Sequence, residues 1–292
     1  AAIVEKELRL DYIIPKPFDP RVLWYVARAV AKAAIETGVA KIKEMDWQKY
    51  EEKLKERLGL SKELIRVMIH KAQKKPMKVV FPEGEEEKII RAAHVVFNDN
   101  MAYPVLLGNE NTIKSLINKL KINQKEFQIL DPESNEKRIQ YADAFFKKRS
   151  RKGAILKDTQ SLMKKPNYFG SMMVELGEAD ALISGLTTSY PTTIRPALHC
   201  IGMKDGLKIV SGLYIVFAKQ DVYFFADTTV NVNPTAEQLA EIAISAADTV
   251  KEFDVIPKIA MLSCSNFGSA PYPESIKVKQ ATDLVKRLRP EL

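Results

Sequence analysis

Residues 167–198 read NYFGSMMVELGEADALISGLTTSYPTTIRPAL, and this stretch decides what kind of fold the chain can have. Tyr168, Phe169, Met172, Met173 and Leu176 recur at helical spacing, so it opens as a helix with one apolar face. Gly177 can end that helix by taking the left-handed conformation. Residues 179–183 form an apolar run broken only by Asp180, the pattern of a strand buried on both faces. A hydroxyl-rich loop follows, with Ser184, Gly185, Thr187, Thr188, Ser189, Thr192 and Thr193, and it ends in Arg195 at the mouth of another helix. Hydroxyls, backbone amides and a guanidinium just past a strand and at a helix start suit an anionic ligand.

The flanks repeat the helix–strand alternation. Residues 78–81 predict a short strand, Pro82-Glu83-Gly84 a turn, and 85–97 a helix with acids in its first turn, where the macrodipole favours them. Residues 103–107 and 127–130 predict further strands with a helix over 112–120 between them. Alternation at this spacing argues for a mainly parallel sheet with helices on both faces. Past Gly206, two strands are expected over 209–217 and 222–226, joined by the short connector 218–221. Asn233-Pro234 is expected to start a long helix over 235–253, followed by a strand over 259–262, a polar exit loop over 263–269 and a last helix ending at Arg289-Pro290. Before Lys78 the chain is helical: a stiff proline-rich connector over 13–20, a helix from the cap Asp19-Pro20 to about Glu36 stopped by Gly38, and helices over 45–58 and 61–74, the latter capped by Ser61.

Composition narrows the function classes. The 292 residues suffice for two domains, and 46% hydrophobic with 28% charged residues is a globular balance. No apolar run approaches a membrane span and no signal peptide opens the chain, which points to a cytoplasmic protein. Cys200 and Cys264 form no CxxC pair and are expected as two packed thiols, and the three histidines lack zinc-ligand spacing, so no metal is expected. GxGxxG and GxxxxGK[ST] are both absent.

The net charge of +8 has a location. Residues 137–165 hold ten Lys or Arg against Asp143 and Asp158, which by itself equals the excess of the whole chain. Three readings stay open: a solvated helix face, a nucleic-acid patch with only Tyr141, Phe145 and Phe146 as aromatic interleaving, or a cradle for a small polyanion. The core face of the predicted helix accounts for those three aromatics, and the basic window runs directly into the hydroxyl-rich segment.

Several blocks together resemble the phosphate acetyltransferase family over residues 77–292. They are Val80-Phe81-Pro82-Glu83-Gly84-Glu85, residues 167–185, Thr193-Ile194-Arg195-Pro196-Ala197-Leu198, residues 225–235 and Ser263-Cys264-Ser265-Asn266-Phe267-Gly268. Residues 11–21, 29–34 and 38–40 resemble the end of the malic enzyme domain in bacterial multidomain NADP-dependent malic enzymes, where a phosphate-acetyltransferase-like region follows. The resemblance implies an α/β fold with two domains of the isocitrate/isopropylmalate-dehydrogenase-like type. The corresponding division is 1–40 as a malic enzyme tail, 41–76 as a helical linker, 77–206 as the first domain and 207–292 as a second, incomplete one. It implies acetyl-CoA or CoA as ligand, acetyl phosphate or phosphate as its counterpart, and a homodimer or higher homo-oligomer, with no nucleic acid and no membrane. NADP and a divalent metal are expected only in a malic enzyme domain.

Carried over by motif, Arg195 matches a substrate-binding arginine, and Arg149 in Arg149-Ser150-Arg151-Lys152-Gly153 matches a second one. A bidentate guanidinium suits a phosphoryl group better than an ammonium does. For both residues a surface ion pair is the competing reading. Asp227 is either a positioning carboxylate or the cap of the following turn. With Ser184, Gly185, Ser189 and Thr193 these residues make the candidate ligand site. Two departures matter: Thr228 stands where the family often has a cysteine, and no block resembling SRGxSxxD, which carries the family's base, precedes Leu292. No catalytic residue is assignable. The resemblance therefore implies a regulatory region of a malic enzyme, with an active phosphate acetyltransferase as the alternative.

Overall fold

The computed structural model describes residues 20–218, 221–266 and 269–292. The proline-rich connector, the cap Asp19, the middle of the connector 218–221, and Phe267 with Gly268 lie outside the described residues. The chain divides into two compact units, one spanning 69–210 and the other formed by 1–68 with 211–292.

The unit spanning 69–210 carries a four-stranded, all-parallel sheet. Its strands are β1 (Met77–Phe81), β2 (Ala102–Leu107), β3 (Gln128–Leu130) and β4 (Ala181–Leu182), in the order β3-β2-β1-β4. Period-two alternation sends successive residues to opposite faces. Val80, Val105 and Leu107 pack against α5 (Lys137–Arg149) and α7 (Pro166–Glu175), through Tyr141, Phe145, Phe169, Met172 and Met173. Val79, Phe81 and Leu106 pack against α3 (Glu87–Asn98) and α4 (Glu110–Lys119), through Ile90, Ala93, Ile113 and Ile117. The expected parallel sheet with helices on both faces is present.

Gly177 ends α7 at φ +73°, with Gly177 N–H donating to Val174 O and Glu178 N–H to Met173 O. Gly170, inside the same helix, answers a different need. A Cβ there would meet Leu182 Cδ1 at 2.8 Å, Val80 Cγ1 at 3.0 Å and Leu107 Cδ1 at 3.2 Å, so the helix lies directly on the sheet. Overpacking costs about 1–3 kcal/mol and the better helix propensity of alanine returns at most about 1. Gly170→Ala should therefore lower the unfolding free energy by about 1–2 kcal/mol, read from a urea titration.

Several expectations need correction. The strand expected over 179–183 is an edge strand, not one buried on both faces: only Ala181–Leu182 is regular, and Ile183 is 55% exposed. Its one acid has a task, because the Asp180 carboxylate accepts from the Lys78 amide at 2.7 Å while Asp180 N–H donates to Lys78 O. The basic window is not a single helix; α5 ends at Arg149, a 3-10 turn over 150–152 follows, Gly153 adopts φ +85°, and α6 (Leu156–Leu162) begins anew.

The other unit holds α1 (Pro20–Glu36), the first part of α2 (Trp47–Lys74), the antiparallel hairpin β5 (Leu213–Ala218) and β6 (Asp221–Ala226), α9 (Ala236–Lys251) and α10 (Pro273–Leu288). The two helices expected over 45–58 and 61–74 are one, since α2 runs through Gly59 and Ser61. A single interior glycine costs only about 1 kcal/mol against good helix formers on either side. Helix α9 starts one residue later than expected. Thr235, not Asn233, is its cap, in a reciprocal capping box with Gln238. Ala240 and Ala243 of α9 pack on Val285 of α10. Residues 259–262 form no strand, and Cys264 is exposed rather than packed, with Sγ 3.4 Å from Ser275 Oγ. No helix among the described residues is long and apolar enough to cross a membrane.

Candidate functional site

Moving from β1 to β2 and β3, the chain builds one side of the sheet; β4 then adds to the other side of β1. The gap outside the carboxyl ends of β1 and β4 is thus a topological switch point, where open α/β sheets bind ligands. The hydroxyl-rich loop lies there, as the sequence expects, but its amides already have a partner. The Glu83 carboxylate, from the turn after β1, accepts from the backbone amides of Gly185 (2.9 Å), Leu186 (3.0 Å), Thr187 (2.6 Å) and Thr188 (3.1 Å), and from the Thr187 hydroxyl (2.8 Å). Burial acts to raise the Glu83 pKa, but these hydrogen bonds outweigh it, the Thr187 amide foremost, and hold it at about 2. The concave nest of amides that suits an anion is filled from within the protein.

The next acid along the turn works on the opposite neighbour. Glu85 Oε1 accepts from the Asn109 amide at 2.8 Å, beyond β2. Gly84 lies between them because a Cβ would meet Leu107 O at 2.7 Å. The segment Pro82-Glu83-Gly84-Glu85 therefore ties β1 to the loops of both flanking strands. Sequence reading found this block only as a motif; its role needs the loop after β4, a hundred residues away, folded back onto it.

The loop hydroxyls also pair among themselves. Ser189 Oγ lies 2.8 Å from Thr192 Oγ1, and Thr193 Oγ1 lies 2.9 Å from Thr188 Oγ1. Ser184 differs, since its buried Oγ has no hydrogen-bond partner among the described residues. Arg195 is not at a helix mouth: α8 begins at Tyr190, which puts Arg195 in its second turn.

That placement gives Arg195 a neighbour. His199 is four residues on, so the two share one face of α8 (Tyr190–Cys200). His199 Nδ1 lies 3.1 Å from the Tyr168 hydroxyl of α7. Burial lowers the His199 pKa first, and the positive charges of Arg149 and then Arg195 lower it further. Burial raises that of Tyr168, with the same two arginines opposing it. The structure thus brings Arg149, from the end of α5, and Arg195, from α8, close enough to one histidine for both charges to disfavour its protonation.

Two cations of the basic window are tied up by acids. Lys137 Nζ lies 2.5 Å from Glu178, and Lys148 binds Glu175 and donates to Ile201 O at 3.1 Å. Neither the Arg149 nor the Arg195 guanidinium makes an ion pair or hydrogen bond with a described residue. The sequence offered no signal that would single out His199 or Tyr168. Cys200 beside them is buried, its pKa pushed up to about 12 chiefly by burial, so it is an inert thiol.

Asp227 belongs to the other unit. One oxygen accepts from the amides of Gly212 (2.8 Å), Thr229 (3.1 Å) and Val230 (3.1 Å), the other from the amide (2.7 Å) and side chain (2.6 Å) of Asn231. Burial acts to raise its pKa, yet these donors hold it at about 2. Its geometry is that of a cap on the turn after β6. No group of three or more His, Cys, Asp or Glu among the described residues could hold a metal ion.

The chain as a whole is similar to known proteins. Residues 63–292 match the model of the phosphate acetyl/butaryl transferase family. The chain is 38% identical over 286 residues to the NADP-dependent malic enzyme of Escherichia coli, covering 97% of this chain and 38% of that protein. It is 38% identical over 230 residues to the phosphate acetyltransferase of Bacillus subtilis, covering 79% of this chain and 71% of that one. A solved phosphotransacetylase from Streptococcus pyogenes superposes with a TM-score of 0.75 at 37% identity, over 79% of this chain and 70% of that one. The chain thus spans under two fifths of the malic enzyme it matches and over two thirds of the Bacillus enzyme. A family model that covers residues 63–292, together with the superposition on a solved phosphotransacetylase at 37% identity, leads to one assignment: the chain belongs to the phosphate acetyl/butaryl transferase family.

Proposed function

We propose that this chain is an acetyl-CoA- or CoA-binding regulatory region of a malic enzyme, and that Arg149 and Arg195 hold the ligand's phosphoryl group. The observation that carries the reading is that Arg149 and Arg195, neither with an ion pair among the described residues, both act on the same His199 and lower its pKa beyond the effect of burial. Two uncompensated guanidiniums favour a phosphoryl or carboxylate group between them, held bidentately. Acetyl phosphate and phosphate are the smaller ligands of the same site. Ser184 offers its unpaired hydroxyl, with Ser189 and Thr193 shaping the start of α8. Glu83 and Asp227 act as scaffold, because their oxygens are occupied.

The match to a malic enzyme over nearly the whole chain supports linkage to NADP-dependent oxidative decarboxylation of malate in a longer protein, where NADP and a divalent metal would belong to another domain. The same reading includes a homo-oligomer in the cytoplasm, and a dehydrogenase-like pair of domains over 77–206 and 207–292. A second reading, an active phosphate acetyltransferase, is favoured by His199: burial and the two arginines lower its pKa, which favours the unprotonated imidazole a general base needs to take a thiol proton.

Calorimetry with acetyl-CoA and a thiol-release assay with acetyl-CoA and phosphate separate the two. Binding without turnover is expected. Sustained turnover that disappears in His199→Gln would replace the regulatory reading with the enzymatic one, and absence of any binding would sink both.

A further inference from the structure

A cavity lies in the same unit, and neither Arg149 nor Arg195 lines it. It has a volume of about 360 Å³ and is lined by Lys78, Gln128, Leu130, Asn135, Lys137 and Glu178, with Met173 and Gly177 completing the wall. Lys78 is the second residue of β1 and Glu178 precedes β4, so this cavity sits toward the amino ends of those strands, whereas Glu83 and its loop follow their carboxyl ends.

Strand alternation explains why it is there. Lys78 shares a face with Val80, and Gln128 and Leu130 share it with Val105 and Leu107, the face covered by α5 and α7. The apolar core on this face stops at Val80, and the next position toward the amino end is a half-buried lysine. Lys78 Nζ makes no hydrogen bond or ion pair with a described residue. Glu178 feels its charge, yet that carboxylate binds Lys137 at 2.5 Å, and Asp180 spends an oxygen on the Lys78 backbone amide. Beside Glu178 the fully buried Tyr141 hydroxyl has no hydrogen bond of ordinary geometry. Gln128 and Asn135 add amide groups to the wall, and Leu130 and Met173 an apolar floor.

Two lysines against one glutamate leave the wall of this cavity with an excess positive charge, and a half-buried lysine with no ion pair of its own is favoured by an anion joining it. We propose that this cavity binds a small organic anion, whose carboxylate or phosphate meets Lys78 and whose polar body is held by Gln128 and Asn135. The volume is at the lower end of ligand pockets, which fits a ligand of about ten non-hydrogen atoms. This site is independent of the arginine pair and of the function proposed for it.

Glycerol 3-phosphate and succinate are the probes, titrated calorimetrically into the 292-residue chain carrying Arg149→Ala and Arg195→Ala, so that the other anion site is removed. At least one probe should still bind, and adding Lys78→Met should raise its Kd about tenfold or more, the scale of one charge-assisted contact. The probe that binds tells whether phosphate or carboxylate is preferred. Loss of all binding in the double variant, or an unchanged Kd with Lys78→Met, overturns the proposal. On the wild-type chain, saturating probe should slow acetylation of Lys78 by acetic anhydride, followed by mass spectrometry. Equal labelling with and without probe overturns it regardless of how the variants fold.

Discussion

Replacing Glu83 by glutamine should destabilise the unit spanning 69–210 by about 2–3 kcal/mol, the scale of hydrogen bonds made to a charged acceptor. The carboxylate gathers four consecutive amides and a hydroxyl from the loop after β4. Glutamine keeps one oxygen but turns an NH₂ group toward donors that need an acceptor. Water can reach part of this loop, which keeps the loss below the full penalty of burying those amides.

The pH dependence follows from the same bonds. The folded carboxyl is lowered from 4.5 to about 2, so its contribution is fully present above about pH 4.5 and is lost as pH falls toward 2. At about 1.4 kcal/mol per pH unit this is on the order of 3 kcal/mol before allowance for solvent. Asp227 gives the other unit a similar acid response. The Glu83 share is therefore read as the difference between wild type and Glu83→Gln in urea titrations from pH 6 to pH 2.5. It should shrink across that range, and a constant difference would deny that the ionised carboxylate holds the loop.

The second large effect concerns the arginine pair. Arg195→Ala and Arg149→Ala should each weaken acetyl phosphate binding by roughly 1.5–3 kcal/mol, the range for a charge-assisted contact. Lysine at either position should recover only part of the loss, because an ammonium lacks the bidentate fork. A readout without ligand accompanies it. Both guanidiniums lower the His199 pKa, so removing either should move it upward toward the ordinary histidine value, observable by NMR titration. Unchanged affinity in a folded variant would remove that arginine from the site. An unmoved histidine would show that the two do not share a site.

The fold was legible because its signals are local. Helical spacing from Tyr168 to Leu176, a glycine stop at Gly177 and the short strand-like run over residues 78–81 each involve neighbours within about ten positions. Where reading went astray, a longer-range contact or a weak local penalty decided. Ser61 looked like the cap of a new helix but lies within a continuous one, and residues 259–262 had strand composition but pair with no described strand. Asn233-Pro234 looked like a cap, and the reciprocal bonds of Thr235 and Gln238 displaced it.

For the site, the sequence by itself determined the inventory: a parallel α/β sheet, a hydroxyl-rich loop after β4, and arginines in recognisable motifs. Residue type and spacing suffice for that much. Only the tertiary structure decided which groups are free to act. A carboxylate from the turn after β1 fills the amides that looked open to a ligand, acids on α7 and just after it neutralise Lys137 and Lys148, and Arg149 and Arg195 are left unpaired beside His199. The physical reason is that charge compensation is a pairwise property of groups brought together by folding. Glu83 and Thr187, or Arg149 and His199, carry no sign of one another until the helices and loops between them have packed.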